Sequence, residues 1–202
     1  MNLSAPDSPR SPRRFSLGQV LARATFRLLG WKLSGQAPAD HKFLLIAAPH
    51  TSNWDFPFYL LLAAAYGIRM SWMGKRSLFR GPQGPVMRAL GGIPVDREAR
   101  RDMVGEMTSA FAAQERLVVA LLPEGTRRHT DHWKSGFYHI AQRADVPLTL
   151  CYLDFRRRQG SISESFRVSG DREADMERIR AFYQGVMGRR PERGSTIRLR
   201  PL

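Results

Sequence analysis

The chain contains 202 residues, of which 43% are hydrophobic and 10% aromatic; this composition excludes a disordered protein and fits one globular domain. Thirty-two Lys and Arg residues stand against 18 Asp and Glu residues. The resulting formal net charge of +14 favours anionic partners, namely nucleic acid, acidic lipid headgroups or phosphorylated small molecules. The single cysteine, Cys151, excludes an intrachain disulfide and a Cys-rich zinc site.

The N-terminal part of the chain is predicted to comprise a tail and a helix. Residues 1–14 are rich in Pro, Ser and Arg and indicate a disordered basic tail. Residues 15–34 are predicted to form an amphipathic helix, because apolar residues recur there at helical spacing: Leu17, Val20, Leu21, Ala24, Leu28 and Trp31. This stripe, with Arg23 and Arg27 beside it, fits two interpretations equally. It either packs on the core or lies on an acidic lipid surface.

Residues 35–202 are predicted to form an α/β domain with a mostly parallel central sheet flanked by helices. Apolar runs predict strands at residues 42–49, 68–74, 93–96, 116–122, 146–155 and 195–202. Helices are predicted at about residues 54–66, 98–114, 136–144 and 171–187, with a short one inside residues 75–92. This alternation is typical of parallel sheets, whose functional loops gather at the carboxyl ends of the strands.

The sequence APHTSNWDFPF, residues 47–57, places His50 and Asp55 five residues apart after a predicted strand. In one interpretation Asp55 stabilises the start of the following helix, which Thr51, Ser52 or Asn53 caps. In the other, Asp55 accepts a hydrogen bond from one ring nitrogen of His50 and leaves the second nitrogen as a base. The chain has no G-x-S-x-G nucleophile motif, so a nucleophile would have to come from the substrate.

A second candidate segment, LLPEGTRR at residues 121–128, follows the clearest predicted strand. Arg127 there could bind a phosphate through two parallel hydrogen bonds, and backbone N–H groups near Gly125 would add donors. The alternative is a surface turn with a solvated arginine. Arg97, in GGIPVDR, is another arginine at a predicted strand end. HTDHW, residues 129–133, lacks partner ligands at metal-site spacing, so no metal site is predicted.

Taken together, these segments resemble the glycerolipid acyltransferase family, whose familiar member converts lysophosphatidate into phosphatidate. Four blocks carry the resemblance, in the family's order, over about residues 43–153: H-x4-D at His50 and Asp55, a glycine-to-arginine block at Gly92–Arg97, P-E-G-T-R at Pro123–Arg127, and a V-P block from Val146. Two residues depart from the pattern. Pro94 stands where many members have Phe, and Leu150 stands where a second Pro is common; both departures bear on acceptor and chain-length preference.

The resemblance implies an acyl transfer in which His50, oriented by Asp55, deprotonates the acceptor hydroxyl. The alkoxide then attacks the thioester of acyl-CoA or acyl carrier protein directly, with no acyl-enzyme, metal or other cofactor. The expected acceptor is a lysophospholipid, foremost 1-acylglycerol-3-phosphate, with another lipid or a small alcohol as the alternative. The resemblance assigns substrate binding to Arg97, Glu124, Gly125, Thr126 and Arg127, and more weakly to Lys75 and Arg76.

The expected location is cytoplasmic, with the protein peripheral on an anionic membrane surface at the inner face of the cell membrane. The longest uncharged apolar stretch, residues 56–68, is shorter than the roughly 20 residues that cross a bilayer. Two rival functions remain at this point. One is a nucleic-acid-binding module, which the basic charge would suit. Because the basic residues are dispersed and no recognised DNA or RNA motif is present, no nucleic acid is expected as a partner. The other is a thioesterase, in which water replaces the alcohol.

Overall fold

A computed structural model describes residues 15–95 and 102–200 of the chain. Seven strands of this part form a single sheet: β1 (Lys32–Ser34), β2 (Lys42–Ala47), β3 (Ser71–Lys75), β4 (Gly92–Val95), β5 (Leu117–Leu121), β6 (Leu148–Asp154) and β7 (Gln159–Ile162). Helices cover its faces: α1 (Leu17–Leu28), α2 (Asp55–Tyr66), α3 (Gln83–Ala89), α4 (Met103–Ala113), α5 (Gly136–Ala144) and α6 (Arg172–Tyr183). Two 3₁₀ turns, Arg76–Phe79 and Pro191–Arg193, complete the described elements.

The sheet is mostly parallel, which confirms the predicted fold class. Its strands lie in the order β1-β7-β6-β2-β5-β3-β4. The five strands from β6 to β4 run parallel to one another, so their carboxyl ends meet at one edge. At the other side of the sheet, β7 pairs antiparallel with β6, and β1 pairs parallel with β7. The predicted functional loops therefore share an edge of the sheet.

The central strand β2 shows why its sequence is continuously apolar. All residues from Phe43 to Ala47 are buried. Leu44 and Ile46 belong to a hydrophobic cluster with side chains of α4, α5 and α6, whereas Phe43 and Leu45 belong to a second cluster with α1 and α2. Because both faces are covered, the period-two alternation of a half-exposed strand is absent.

The N-terminal helix is shorter than predicted. It ends at Leu28, and residues 32–34 form β1 instead of a last helical turn. Trp31 is buried but lies beyond the helix, where its ring packs against Phe58 and Phe155. The predicted helix over residues 15–34 is therefore wrong at its end, because three strand residues give too short a pattern to recognise.

Within α1 the residues of the apolar stripe point away from the core. Leu17 and Leu28 are 75% and 88% exposed, and Val20, Leu21 and Ala24 are exposed as well. The buried residues of the helix are Ala22 and Phe26, which face α2 on the other side. The helix therefore packs on the core, as one of the two interpretations predicted, but through the side opposite to the stripe. The stripe residues that lie within α1 face solvent.

Two further differences concern the C-terminal half. The predicted strand at residues 195–202 is wrong for its described part, since residues up to 200 form only an isolated bridge between Leu199 and Trp133. The polar sequence of β7 gave no apolar run, so this strand was not predicted. The tail at residues 1–14 lies outside the described residues, as do residues 96–101 of the predicted helix at 98–114. Within residues 15–95 and 102–200, no helix combines the length and apolar character needed to cross a membrane.

Candidate active site

The two sequence motifs meet at the carboxyl edge of the sheet. β2 leads into the loop that carries His50, and β5 leads into the loop that carries Glu124 and Arg127. These strands are hydrogen-bonded neighbours, with Ile46 paired to Leu121 at their ends. The parallel pairing therefore brings two loops together that lie more than 70 residues apart in the sequence, since His50 and Glu124 are separated by 74 positions.

His50 and Asp55 form the hydrogen-bonded pair that the sequence predicted. The Nδ1 atom of His50 lies 3.2 Å from Oδ2 of Asp55, and the same oxygen accepts hydrogen bonds from the backbone N–H groups of Thr51 and Ser52 at 2.7 and 2.8 Å. The Asp55 side chain is 1% exposed and that of His50 is 15% exposed. Because Nδ1 faces the carboxylate, Nε2 is the ring nitrogen left to accept a proton.

The predicted capping of α2 by Thr51, Ser52 or Asn53 is wrong. The residue preceding α2 is Trp54, and no side chain caps its first turn. Asp55 instead holds the loop before the helix, through the N–H groups of Thr51 and Ser52. The Ser52 hydroxyl accepts from the Trp54 N–H at 3.2 Å, within the same loop. Asp55 lies at the positive end of α2, where the helix dipole favours a buried carboxylate.

Glu124 ties the two motif loops together. Its Oε1 accepts the backbone N–H of His50 at 2.6 Å, and its Oε2 accepts the Ser195 hydroxyl at 2.7 Å. The residue is 3% exposed. Burial raises the pKa of the Glu124 carboxyl, while the hydrogen bonds from Ser195 and from the His50 backbone act in the opposite direction. This placement underneath the loop does not favour direct contact with an anionic substrate group, which the family resemblance had assigned to Glu124.

The rest of the P-E-G-T-R loop faces outward. Gly125 has a φ of +65°, a left-handed conformation that favours glycine, and it lies beside the flexible end of the Lys134 side chain. The Thr126 hydroxyl accepts the backbone N–H of Arg128 at 3.2 Å, which fixes the turn. The Arg127 side chain is exposed. The loop thus presents Arg127 and Lys134 on its outer surface, and Lys134 was not predicted from the sequence.

Two further predicted binding residues, Lys75 and Arg76, lie at the same edge of the sheet. Lys75 ends β3, the neighbour of β5 on the side away from β2, and Arg76 begins the following 3₁₀ turn. Both side chains are exposed. They lie three and four residues beyond Trp72, the last residue of β3 paired with β5. Arg97 lies outside the described residues.

A segment near the C-terminus, residues 187–199, lies across both motif loops and is called the strap below. The Met187 carbonyl accepts the Phe155 N–H at 2.9 Å, and the Arg190 N–H donates to the Thr51 hydroxyl at 3.2 Å. A β-carbon on Gly188 would lie 2.6 Å from the Thr51 hydroxyl oxygen, so the strap fits closely against the His50 loop. No local motif marked this segment, since its contacts arise only from the folded chain.

Among the concavities of residues 15–95 and 102–200, two lie beside the sheet. One of about 250 Å³ lies between the strap and the motif loops and is lined by residues that include Pro49, Glu124, Trp133 and Ser195. The larger, of about 430 Å³, lies at the amino ends of β2 and β6, where its lining includes Lys42. The larger concavity is at the edge opposite to the His50–Asp55 pair and is not part of the candidate site.

A family model described as Acyltransferase matches residues 32–153, which is more than half of the chain. The chain belongs to the acyltransferase family. The matched range contains the His50–Asp55 pair and the P-E-G-T-R loop, whereas the strap lies beyond it. No curated protein sequence matches the chain.

The fold of this acyltransferase is similar to that of a solved enzyme. The crystal structure of the 1-acyl-sn-glycerophosphate (LPA) acyltransferase, PlsC, from Thermotoga maritima matches with a TM-score of 0.56 and 19% sequence identity. The match covers 83% of this chain and 76% of the PlsC chain. It supports the single α/β domain with a mostly parallel sheet. The acyltransferase family indicated by the sequence motifs is confirmed by the family model.

Proposed function

We propose that this acyltransferase moves a fatty acyl group from acyl-CoA or acyl carrier protein to the hydroxyl of a lysophospholipid. The preferred acceptor is 1-acylglycerol-3-phosphate, which would give phosphatidate. The observation that carries the proposal is the hydrogen bond between His50 Nδ1 and the buried Asp55 carboxylate, beside a loop that presents Arg127. The solved neighbour, PlsC, is described as a 1-acyl-sn-glycerophosphate acyltransferase, which adds support for this acceptor.

In the proposed mechanism, Nε2 of His50 removes the proton of the acceptor hydroxyl. Asp55 holds the ring in the tautomer that leaves Nε2 free and stabilises the imidazolium that forms. The alkoxide oxygen bonds to the thioester carbonyl carbon, and a tetrahedral oxyanion results. When it collapses, the carbon–sulfur bond breaks and the thiolate takes the proton from His50. The step needs no acyl-enzyme and no cofactor, since the acceptor itself is the nucleophile.

Two exposed cations of the described loops suit the acceptor phosphate. Arg127 offers a planar fork for two hydrogen bonds, and Lys134 places an ammonium group beside Gly125. Thr126 lies between Gly125 and Arg127 in the loop. Arg97, Lys75 and Arg76 are proposed as further contacts to the headgroup, as the family resemblance suggests. Glu124 is proposed to support the loop from beneath instead of binding the phosphate, because both its oxygens are already occupied within the protein.

The exposed stripe of α1 is proposed to lie on an anionic membrane, with the protein peripheral at the cytoplasmic face. Leu17, Leu21 and Leu28 are exposed on a helix whose opposite side is packed on α2. Arg27 in its last turn would meet acidic headgroups. The C-terminal end of α1 also lies near the start of α2, because Phe26 packs against Phe58 in the first turn after Asp55. A membrane on this stripe would therefore lie close to the site that receives the lipid.

The test is an acyl-transfer assay with purified full-length protein. Two donors are compared, radiolabelled acyl-CoA and acyl carrier protein loaded with the same radiolabelled acyl group. Each is supplied with and without 1-acylglycerol-3-phosphate, and lipid products are separated from free fatty acid. Labelled phosphatidate that depends on the acceptor, and is absent with His50→Ala, is the expected result. Fatty acid release at the same rate with and without acceptor would show a thioesterase instead. If labelled product forms with monoacylglycerol but not with 1-acylglycerol-3-phosphate, the acceptor is a lipid without a phosphate and the proposed acceptor is wrong.

A further inference from the structure

Besides its contacts with Thr51, the strap approaches the catalytic pair through the hydroxyl of Ser195. This hydroxyl donates to Oε2 of Glu124 at 2.7 Å and accepts the Thr130 backbone N–H at 3.3 Å. Glu124 in turn accepts the His50 backbone N–H at 2.6 Å. A continuous series of three hydrogen bonds therefore runs from the Thr130 backbone through the side chains of Ser195 and Glu124 to the His50 backbone.

The backbone on either side of Ser195 fixes where its hydroxyl lies. The Gly194 carbonyl lies 2.6 Å from Nδ1 of His129, and the Thr196 N–H donates to the Thr130 carbonyl at 3.0 Å. Further along, the Arg198 carbonyl accepts the Trp133 N–H at 2.7 Å. The strap is thus held in register against the segment that follows the P-E-G-T-R loop, and Ser195 is the position whose side chain turns inward to Glu124.

The Glu124 carboxylate needs both of its donors. It is buried, and a buried carboxylate without hydrogen-bond partners is strongly destabilised. The titratable groups around it are His50, Asp55 and the tyrosines 59 and 183, of which Asp55 opposes its ionisation and a charged His50 favours it. The Ser195 hydroxyl favours the ionised form, because it donates a hydrogen bond to it. Without this hydroxyl, Glu124 would take up a proton more readily and would be a weaker acceptor for the His50 N–H.

We infer that Ser195 is a positioning residue for the acyl transfer: through Glu124, it holds the backbone of His50 where the imidazole meets Asp55. The inference rests on the proposed role of His50 as the base. The Ser195 hydroxyl forms no hydrogen bond with His50 or Asp55, and the residue lies outside residues 32–153, the range that the family model matches. The family motifs therefore supply the reacting pair, and a part of this chain beyond them fixes the loop that carries it.

Three variants of the full-length protein test the inference by kinetics. Ser195→Ala removes the hydroxyl, Ser195→Thr retains it, and Thr196→Ala changes an exposed neighbour whose backbone hydrogen bond persists. Ser195→Ala should lower kcat about tenfold while KM for the acceptor stays within about twofold, because a lost hydrogen bond to a charged group has effects of this order. The other two variants should stay close to wild type. The acid limb of kcat in Ser195→Ala should move to higher pH, since Glu124 loses the donor that favours its ionised form.

A second readout does not depend on the acceptor. With ¹⁵N-labelled histidine, the Nδ1–H signal of His50 is assigned by its loss in His50→Ala and is then followed in Ser195→Ala. We expect this signal to shift or broaden in Ser195→Ala and to stay unchanged in Thr196→Ala. This result supports the inference even where the assays identify a different acceptor. An unchanged signal in a folded Ser195→Ala overturns it, as does an unchanged kcat and pH profile. Equal loss of kcat in Thr196→Ala also overturns it, because the strap would then act only as a whole.

Discussion

The backbone N–H of His50 donates a 2.6 Å hydrogen bond to Oε1 of Glu124, and this bond joins the two motif loops of the acyltransferase. His50 is consequently held from both sides, by Glu124 at its backbone and by Asp55 at its ring. A base that abstracts a proton must keep its geometry within a few tenths of an ångström. In the proposed mechanism the two acidic residues therefore have different tasks: Asp55 sets the tautomer of His50, and Glu124 sets the position of the loop that carries it.

Replacement of His50 or Asp55 should abolish transfer without unfolding the protein. Loss of a positioned base costs about 10² to 10⁴-fold in rate, and Asp55→Asn should favour the wrong tautomer of His50 while retaining the shape of the side chain. Because the two residues act as a unit, the double variant should be scarcely slower than either single one. Transfer rates and melting temperatures are measured together, with His41→Ala at the opposite end of β2 as a control. A rate for His50→Ala near that of His41→Ala would end the catalytic assignment.

Asp55→Ala should differ from Asp55→Asn in stability. The carboxylate is the acceptor for the backbone N–H groups of Thr51 and Ser52, so alanine leaves two buried donors without their partner. Each such donor costs about 1–3 kcal/mol when it stays unsatisfied. Thermal unfolding should therefore show Asp55→Ala to be clearly less stable than Asp55→Asn. Equal melting temperatures would mean that solvent reaches the loop in the variant, which would contradict the closed arrangement under the strap.

The stability difference between wild type and Glu124→Gln should depend on pH in a defined sense. Burial raises the pKa of Glu124 above its ordinary value of 4.5, so the folded protein binds this proton more tightly than the unfolded chain does. Wild-type stability therefore falls, relative to Glu124→Gln, as pH rises from the unfolded value through the folded-state pKa. Melting temperatures of both proteins across this range check the sign, with the exposed Glu115→Gln as a control for loss of a surface charge. A wild-type advantage that grows with pH would show that the bonds from Ser195 and His50 outweigh burial.

The main sheet could be predicted from the sequence because its strands are buried on both faces. β2 and β5 are continuous apolar runs, and their parallel order follows from the helices between them. β1 and β7 could not be predicted, since KLS and QGSI are short and have no apolar pattern. They become strands only because each one finds a partner at the sheet edge.

The candidate site was predictable to the extent that its residues lie in local motifs. His50 and Asp55 are close in sequence, so their pairing required only one loop to fold back. Ser195 contacts Glu124 across 71 positions, and Lys134 meets Gly125 only because the loop folds over it. Neither Ser195 nor Lys134 lies at a motif spacing from its partner, so the sequence could not predict these two contacts. The sequence also suggested that Glu124 contacts substrate, because a motif cannot show whether a side chain points outward or beneath its loop.

Arg127→Lys should impair the use of acceptors that carry a phosphate. The planar guanidinium can make two parallel hydrogen bonds to a phosphate, whereas lysine offers a single point charge. If Arg127 binds the headgroup, kcat/KM for 1-acylglycerol-3-phosphate should fall about 10- to 100-fold, the effect expected for hydrogen bonds to a charged group. Arg128→Lys, one residue further along the same exposed turn, is the matched control. Equal kinetics for the two variants would place the phosphate elsewhere, for example beside Lys75 and Arg76.

The exposed stripe of α1 should be required for membrane binding but not for folding. Deletion of the helix would also remove Phe26 from the core, so surface substitutions are the cleaner test. A variant with Leu17, Leu21 and Leu28 all changed to serine should bind anionic vesicles more than tenfold more weakly, since burial of one leucine contributes about 1.5–3 kcal/mol.

The control for this variant is Met103→Ser, an exposed apolar position at the start of α4, in the layer on the other face of the sheet. Vesicle sedimentation is measured at low and at high salt, because attraction of Arg27 to acidic headgroups is screened by salt whereas leucine insertion is not. Melting temperatures of both variants should match wild type, and turnover of a soluble short-chain acceptor should persist. If the triple variant and Met103→Ser sediment equally well with vesicles, the membrane lies on another surface of the acyltransferase.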